Sequence, residues 1–312
     1  MVIDTKRLLS KIPVNLSGQV TSGMALSGLT TLRIGGPAQL VCQIQNPSDA
    51  ALFRNIAGEA DIPSYVLGGG SNILADDAGF AGMVLHLANE TCDRTGTCLT
   101  VGAGHGFDEL IRRSLDLGLT GLEFASGIPG TLGGAIVGNA GCYGHEISEF
   151  IRELQILRSD GTLDRIGPED CGFSYRSSDL RESGHILLAA TLDLAKGDLE
   201  AAIALRDEKI ADRRAKHPVD VPCAGSWFRN LPAAAPGERR RAAGVLLEAA
   251  GAKDMTEGDA AVFPRHANII INRGRATCAD TRALADRMKQ AVAEKFQVDL
   301  IEEVRYLGLA DG

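Results

Sequence analysis

The sequence predicts an α+β protein of two domains, and three observations carry that prediction. Strand-like and helix-like segments alternate from about Gln39 to Leu307, with no internal repeat and no low-complexity segment. A stretch from Gly121 to Gly144 holds eight glycines in 24 residues, interleaved with Leu122, Phe124, Ile128, Leu132, Ile136 and Val137. From Asp198 to about Lys216 the pattern turns charged and helical, which places the main boundary near Gly197. The expected organisation is a lead-in over 1–24, a first domain over 25–197 and a second over 198–312, long enough for two real cores.

Composition narrows the function. A hydrophobic content of 45% with 23% charged residues is ordinary for a globular protein. The net charge of −8 argues against a general nucleic-acid binder, which would show a basic footprint. Seven cysteines at 42, 92, 98, 142, 171, 223 and 278 include no CxxC, so neither a disulfide framework nor a metal site is expected. Met1 to Val20 lacks a signal peptide's apolar core, and no apolar run approaches the ~18–20 residues that cross a bilayer. The expectation is a cytoplasmic protein with reduced thiols, no membrane association and no obligate protein partner.

The elements follow in order. Leu8, Leu9 and Ile12 suggest a short amphipathic lead-in. Leu29 to Ala38 reads as a strand and glycine turn leading into the strand Gln39–Ile44. Pro47 to Ala60 has helical periodicity, with Ser48 placed as its N-cap. A strand from Tyr65 runs into Gly68, Gly69, Gly70, Ser71 and Asn72; residues 83–88 and 97–102 look like strands and Phe107–Leu117 like a helix. Residues 151–157 and 163–166 form a hairpin about Ser159-Asp-Gly, followed by a polar loop and the strand from His185 to Leu194. In the second domain, helices are expected from Asp198 to Lys216, from Glu238 to Ala250 and from about Asp280 to Phe296, with strands at Asn268–Asn272 and Val298–Leu307. That alternation makes this domain α+β or α/β.

Both glycine stretches admit a chemical reading. A connecting loop would be polar; this one alternates glycine with large apolar residues, so it should be buried yet irregular. Buried backbone must satisfy its N–H and C=O groups, and glycine lets that backbone lie directly against a partner. An acceptor-rich ligand such as a dinucleotide would serve. Gly68 to Asn72 can likewise form a nest for phosphate. It is neither a GxGxxG fingerprint nor a Walker loop. Taken alone, each stretch also reads as a packing turn; together they point to one pyrophosphate ligand.

Several ordered motifs then carry a resemblance. Thr30-Thr-Leu-Arg-Ile-Gly-Gly-Pro-Ala, Leu67-Gly-Gly-Gly-Ser-Asn, Gly121-Leu-Glu-Phe-Ala-Ser-Gly-Ile-Pro-Gly-Thr-Leu-Gly-Gly-Ala and Asn139-Ala-Gly-Cys-Tyr-Gly are followed by Phe173-Ser-Tyr-Arg-Ser-Ser, Ala224-Gly-Ser-Trp-Phe-Arg-Asn, His266-Ala-Asn and Glu303-Val-Arg-Tyr-Leu-Gly. Over residues 28–308 the chain resembles the UDP-N-acetylenolpyruvoylglucosamine reductases of bacterial peptidoglycan synthesis, in their shorter subtype. The resemblance implies a two-lobed FAD-binding domain of the PCMH/vanillyl-alcohol-oxidase type, then an α/β-type substrate domain. It implies FAD, reduced by NADPH, giving hydride from N5 to C3 of the enolpyruvyl group, with a proton added at C2.

By resemblance the cofactor would be held by Gly68, Gly69, Gly70, Ser71, Asn72, Ser126, Gly127, Ile128, Pro129, Gly130, Thr131, Gly133, Gly134, Ala135 and Asn139. Hydride addition leaves carbanion character at C2, delocalised into the carboxylate, and that charge needs a fixed cation or acid. The resemblance assigns Arg176 and Glu303 to it, and Ser226 as proton donor. Arg214 and Asn230 are the implied substrate contacts; Arg229 replaces a usual lysine. Without the resemblance, Ser226 reads as a turn serine, Arg176 as a surface loop residue and Glu303 as a solvated strand residue. Cys142 is expected to pack, with a covalent flavin link as the alternative, and His266 to order its loop.

Some positions depart from the family pattern. Leu231 separates Asn230 from Pro232 in an Ala/Pro-rich loop, Gly138 stands where a larger residue is usual, and Ala261-Val-Phe-Pro-Arg precedes His266. Two other readings stay open at this point. A flavin oxidase of a sugar or alcohol explains the glycines but not Ser226 with Glu303. An inactive UDP-sugar-binding flavoprotein would explain the departures but not retention of all three catalytic candidates.

Overall fold

A computed structural model of the chain describes residues 5–309, apart from 234, 236 and 239. Parts of the lead-in and of the Ala/Pro-rich loop therefore lie outside the described residues. The chain forms two compact units, and neither is continuous in sequence. The first takes the residues up to Gly23, Ala38–Gly69 and Ala81–Arg213; the second takes Met24–Pro37, Gly70–Phe80 and the residues from Arg214 onward.

The first unit has two sheets. One is four-stranded, in the order Val20–Ser22, Ala38–Ile44, Phe80–Leu87, Ser64–Leu67, its last two strands parallel. The other is a five-stranded antiparallel sheet in the order Leu163–Ile166, Ile151–Leu157, Ile186–Asp193, Cys98–Gly102, Cys92–Thr95. The hairpin of this sheet has the expected turn: Gly161 takes φ +87° and Arg158 N–H donates to the Thr162 carbonyl. The helix Phe107–Asp116 buries Phe107, Leu110, Ile111, Ser114 and Leu115, the spacing of one helical face. Asp108 and Glu109 in its first turn suit the positive end of the helix dipole. Phe107 is fully buried, so its truncation to alanine should cost about 3–5 kcal/mol.

The second unit is built on an antiparallel sheet in the order Cys223–Ser226, His266–Asn272, Ala260–Phe263, Thr256–Glu257. Helices Ala243–Ala249 and Cys278–Phe296 pack with Trp227, Phe228, Leu247, Ile270 and Met288 into its core. Thr277 and Asp280 form a capping box at the start of the long helix, and Asp77 accepts the Cys278 N–H through both oxygens. A short parallel pair, Ile73–Ala75 with Arg305–Leu307, joins the middle of the chain to its end.

Four local expectations are corrected. The helix from Pro47 is capped by Asn46, not Ser48: Asn46 is extended and its side chain accepts the Asp49 N–H. Proline at the first helical position presets the turn and pushes its predecessor to the extended cap conformation. Leu29 to Ile34 is no strand. The Arg33 N–H returns to the Thr30 carbonyl, Thr30 Oγ1 donates to the Ile34 carbonyl, and Arg33 takes φ +57°, which tucks Leu32 and Ile34 into the second unit's core. The helix expected from Glu238 begins at Ala243, because Leu231 and Arg241 pair as extended chain. The expected strand Val298–Leu307 is regular only over Arg305–Leu307. Ahead of it, Ile301 to Glu303 pairs with Trp227 to Arg229 instead.

Candidate active site

In the first unit the two glycine stretches meet. A Cβ on Gly69 would lie 2.8 Å from Gly130 Cα, and one on Gly68 would lie 2.4 Å from Thr131 Oγ1. Only glycine permits that approach. Gly127 and Gly130 take φ of +75° and +106°. The turn at Gly127 is held from both sides: its N–H donates to Asp108 Oδ1 at 2.6 Å, and Arg213 Nε donates to its carbonyl at 3.1 Å. Arg206 pairs with Asp108 at 3.6 Å. Thr131 caps the short helix Leu132–Val137 and accepts the Gly134 N–H.

The expectation that a ligand satisfies the second stretch's N–H groups needs correction. Those of Ser126, Ile128, Gly133 and Ala135 donate to Glu123, Ala125, Ala103 and Thr131 carbonyls. The buried Ser126 hydroxyl turns inward to the Glu123 carbonyl. What these glycines offer a ligand is close approach of the backbone more than donors. The same unit supplies positive charge. Burial raises the Cys142 thiol pKa, and the charges of Arg213, Arg176 and Lys209 act against that rise. Three cations thus lie about Cys142, whose thiol donates to the Phe124 carbonyl at 2.8 Å. Closely apposed glycine backbone with cations in the same unit fits a long anionic cofactor such as FAD.

Arg176 sits in a tight turn in which Ser174 and Ser177 exchange both N–H···O bonds. It takes a left-handed φ of +55°, uncommon for a residue with a side chain. Asn139, fully buried with φ +43°, donates to the Ser174 carbonyl at 3.0 Å and to Glu146 Oε2 at 2.7 Å. Ser178 Oγ donates to the Val137 carbonyl at 2.8 Å.

In the second unit Ser226 ends the strand Cys223–Ser226 and is half-buried. Asn268 holds the residues after it: its carbonyl accepts the Trp227 N–H, its Oδ1 accepts the Phe228 N–H and its Nδ2 donates to the Phe228 carbonyl. The Glu303 N–H donates to the Trp227 carbonyl at 2.7 Å, so the structure brings Ser226 and Glu303 onto adjacent segments. Asn72 Nδ2 donates to the Glu303 carbonyl at 3.0 Å, and the Asn72 carbonyl accepts the Arg305 N–H. Gly70 takes φ +60°, and a Cβ there would lie 2.0 Å from the Leu29 carbonyl oxygen. Thr31 ties Gly70 to the serine strand, its N–H donating to the Gly70 carbonyl and its hydroxyl to the Cys223 carbonyl.

Glu302 accepts from Lys289 Nζ at 2.7 Å and from the Tyr306 hydroxyl. Of the expected substrate contacts, Arg214 is exposed and Asn230 is exposed with its Oδ1 accepting the Ala243 N–H. Arg229 Nε is buried with no acceptor among the described residues. His266 is half-buried, its Nδ1 facing the Asn268 N–H and its ring 5.0 Å from that of His217. Burial lowers its pKa from the ordinary 6.5. Among the described residues no group of His, Cys, Asp and Glu could hold a metal ion. Asp108, Arg213 and Thr31 carry no signal of their own in the sequence. The Thr30-Thr-Leu-Arg motif marks the last without giving it a role, and Arg213 is hidden in a helix-end basic run.

Comparison with known proteins decides the family. Residues 38–167 match the FAD binding domain family, and residues 217–307 match the UDP-N-acetylenolpyruvoylglucosamine reductase C-terminal domain. The UDP-N-acetylenolpyruvoylglucosamine reductase of Heliobacterium modesticaldum is 38% identical over 306 residues, covering 97% of this chain and 96% of the relative. The chain belongs to the UDP-N-acetylenolpyruvoylglucosamine reductase family. The Bacillus subtilis reductase is 34% identical, over 97% of this chain and 99% of its own. The crystal structure of the Thermus caldophilus reductase superposes with a TM-score of 0.77 at 31% identity, covering 91% of this chain and 97% of that one. As a member of this reductase family the protein is an oxidoreductase that uses FAD and NADPH. No described helix of this reductase is long and apolar enough to cross a membrane.

Proposed function

We propose that the chain reduces the enolpyruvyl group of UDP-N-acetylglucosamine enolpyruvate, giving UDP-N-acetylmuramate, with Ser226, Glu303 and Arg176 as its catalytic residues. The observation that carries the assignment is the Glu303 N–H bond to the Trp227 carbonyl, which holds the expected acid beside the segment of the expected proton donor. FAD held at the glycine stretches of the first unit and reduced by NADPH would supply the hydride for the enolpyruvyl C3.

That addition makes C3 a methyl and leaves the electron pair at C2, spread into the adjacent carboxylate. Arg176, fixed by its turn, would offset the charge on that carboxylate without reorganising as it develops. Ser226 would give its Oγ proton to C2. A serine hydroxyl is a weak acid, but a carbanion-like centre is far more basic, and fixed proximity supplies much of the rate. Glu303 would share the developing charge as an acid. Arg214, Asn230 and the half-buried Arg229 are the proposed contacts for the substrate's phosphates. The other cofactor residues are proposed as read from the sequence, with Gly68, Gly69, Gly127 and Gly130 supplying close approach; Asn72 and Asn139 are left out of that set, because their side-chain amides donate to the Glu303 and Ser174 carbonyls.

Anaerobic stopped-flow absorbance at the flavin band tests the reading. NADPH should bleach the flavin, and the enolpyruvyl sugar should restore it. Bleaching without recovery would leave a flavoprotein with another acceptor.

A further inference from the structure

Each of the two glycine stretches holds an asparagine, the two in different units, yet each does the same thing. Gly68-Gly69-Gly70-Ser71 ends at Asn72, and the second stretch reaches Gly138 and then Asn139. Neither side-chain amide points its donor into open space. Asn72 Nδ2 donates to the carbonyl of Glu303, and the Asn72 carbonyl accepts the N–H of Arg305, so residue 303 is gripped on one side by Asn72 and on the other by Trp227. Asn139 Nδ2 donates to the Ser174 carbonyl and to Glu146, and its Oδ1 faces the Ser148 N–H at 3.4 Å. Ser174 is two residues before Arg176 and closes its turn. With no exposed surface, Asn139 has nothing left to offer a ligand through its side chain.

We infer that Asn72 and Asn139 are positioning residues for Glu303 and Arg176, coupling the glycine backbone to the groups that handle the substrate's charge and proton, and are not cofactor contacts through their side chains. The inference rests on the roles proposed above for Glu303 and Arg176. A carboxylate or guanidinium acts in a transition state only if its backbone is held. Both segments are irregular, so side-chain amides must do what a sheet ladder does elsewhere. Asparagine suits this role because it carries a short donor at fixed reach and, at 139, tolerates left-handed backbone.

The test uses the full-length holoenzyme with Asn72→Ala and Asn139→Gly, the latter keeping the left-handed backbone while deleting the amide. FAD affinity is read by flavin fluorescence, and the two half-reactions separately by stopped flow. The expected result is near-unchanged FAD affinity and NADPH-driven bleaching, with reoxidation by the enolpyruvyl sugar slowed by up to about 10²-fold. Adding Asn72→Ala to Glu303→Gln, or Asn139→Gly to Arg176→Ala, should slow reoxidation little further, as coupled residues do. Loss of FAD affinity with normal reoxidation at saturating FAD would overturn the inference, as would additive double variants. If Asn139→Gly fails to fold, Ser178→Ala removes the neighbouring tie to the Val137 carbonyl and reads the same loop; if Asn72→Ala fails, Asn72→Ser replaces it. A wild-type enzyme that the substrate cannot reoxidise would defeat the proposed function itself, a separate outcome from any of these.

Discussion

The Glu303 N–H reaches the Trp227 carbonyl at 2.7 Å, setting the acid of one segment against the residue that follows Ser226 in another. The pairing predicts that Ser226→Ala and Glu303→Gln share a phenotype. Each should bind FAD and accept electrons from NADPH normally, while reoxidation by the enolpyruvyl sugar slows by on the order of 10²–10⁴-fold. Glu302→Gln should do the reverse. It should keep reoxidation and lose about 1–3 kcal/mol of stability as Lys289 and Tyr306 exchange a charged acceptor for a neutral one, measured by urea unfolding.

Arg176→Ala should slow reoxidation by about 10²–10³-fold and leave flavin bleaching intact. Arg176→Lys should recover only part, since ammonium cannot reproduce a planar guanidinium fork. An effect confined to FAD binding would reassign Arg176 to the cofactor.

Gly69→Ala should fail at the cofactor. Its Cβ would lie 2.8 Å from Gly130 Cα, backbone that cannot swing aside, so the two stretches must part. The variant should purify with little flavin and lose about 1–3 kcal/mol from overpacking, read from the absorbance ratio and denaturant midpoint.

Cys142→Ala should retain FAD, and acid precipitation of the wild type should release all of the flavin. The thiol donates to the Phe124 carbonyl, and burial raises its pKa, so it is a poor nucleophile at neutral pH. Flavin remaining in the pellet would establish the covalent alternative.

Burial lowers the His266 pKa below the ordinary 6.5. Between the folded and unfolded values the unfolded chain binds more protons, so stability rises with pH there. The contribution is complete above the unfolded pKa and disappears as pH falls through the folded one. Melting curves of the wild type and His266→Gln across about pH 5 to 8 should show a shallower acid-side decline in the variant.

The motif residues were legible in the sequence because their spacing is local. Regular elements were legible for the same reason: the hairpin over 151–166 and the helix from Phe107 rest on turn chemistry and periodicity. The errors fell where distant segments decide. Leu29 to Ile34 has strand-like residues, yet Leu32 and Ile34 are buried in a core made mostly of residues beyond 220. Val298 to Leu307 has a strand's composition, but Trp227 to Arg229 takes part of it as irregular pairing. Thr31, Asp108 and Arg213 act through partners far away in sequence, which periodicity cannot reveal. The N-cap at Asn46 was local and readable, since Pro47 follows it.

The pairing of Ile73 with Arg305 also sets a timetable for biosynthesis. Asn72 and Glu303 are 231 positions apart, so at about 5–20 residues per second a ribosome needs roughly ten to fifty seconds between them. Throughout that interval Met24–Pro37 and Gly70–Phe80 have emerged without the sheet and helices they belong to, leaving Leu32, Ile34 and Leu74 without their later-made core. Completion of the second unit therefore waits on long-range closure. A nascent chain stalled before Arg305 should be held by chaperones and cut readily by protease near Gly36 and Gly79, whereas a chain with Arg305–Leu307 free to pair should show neither.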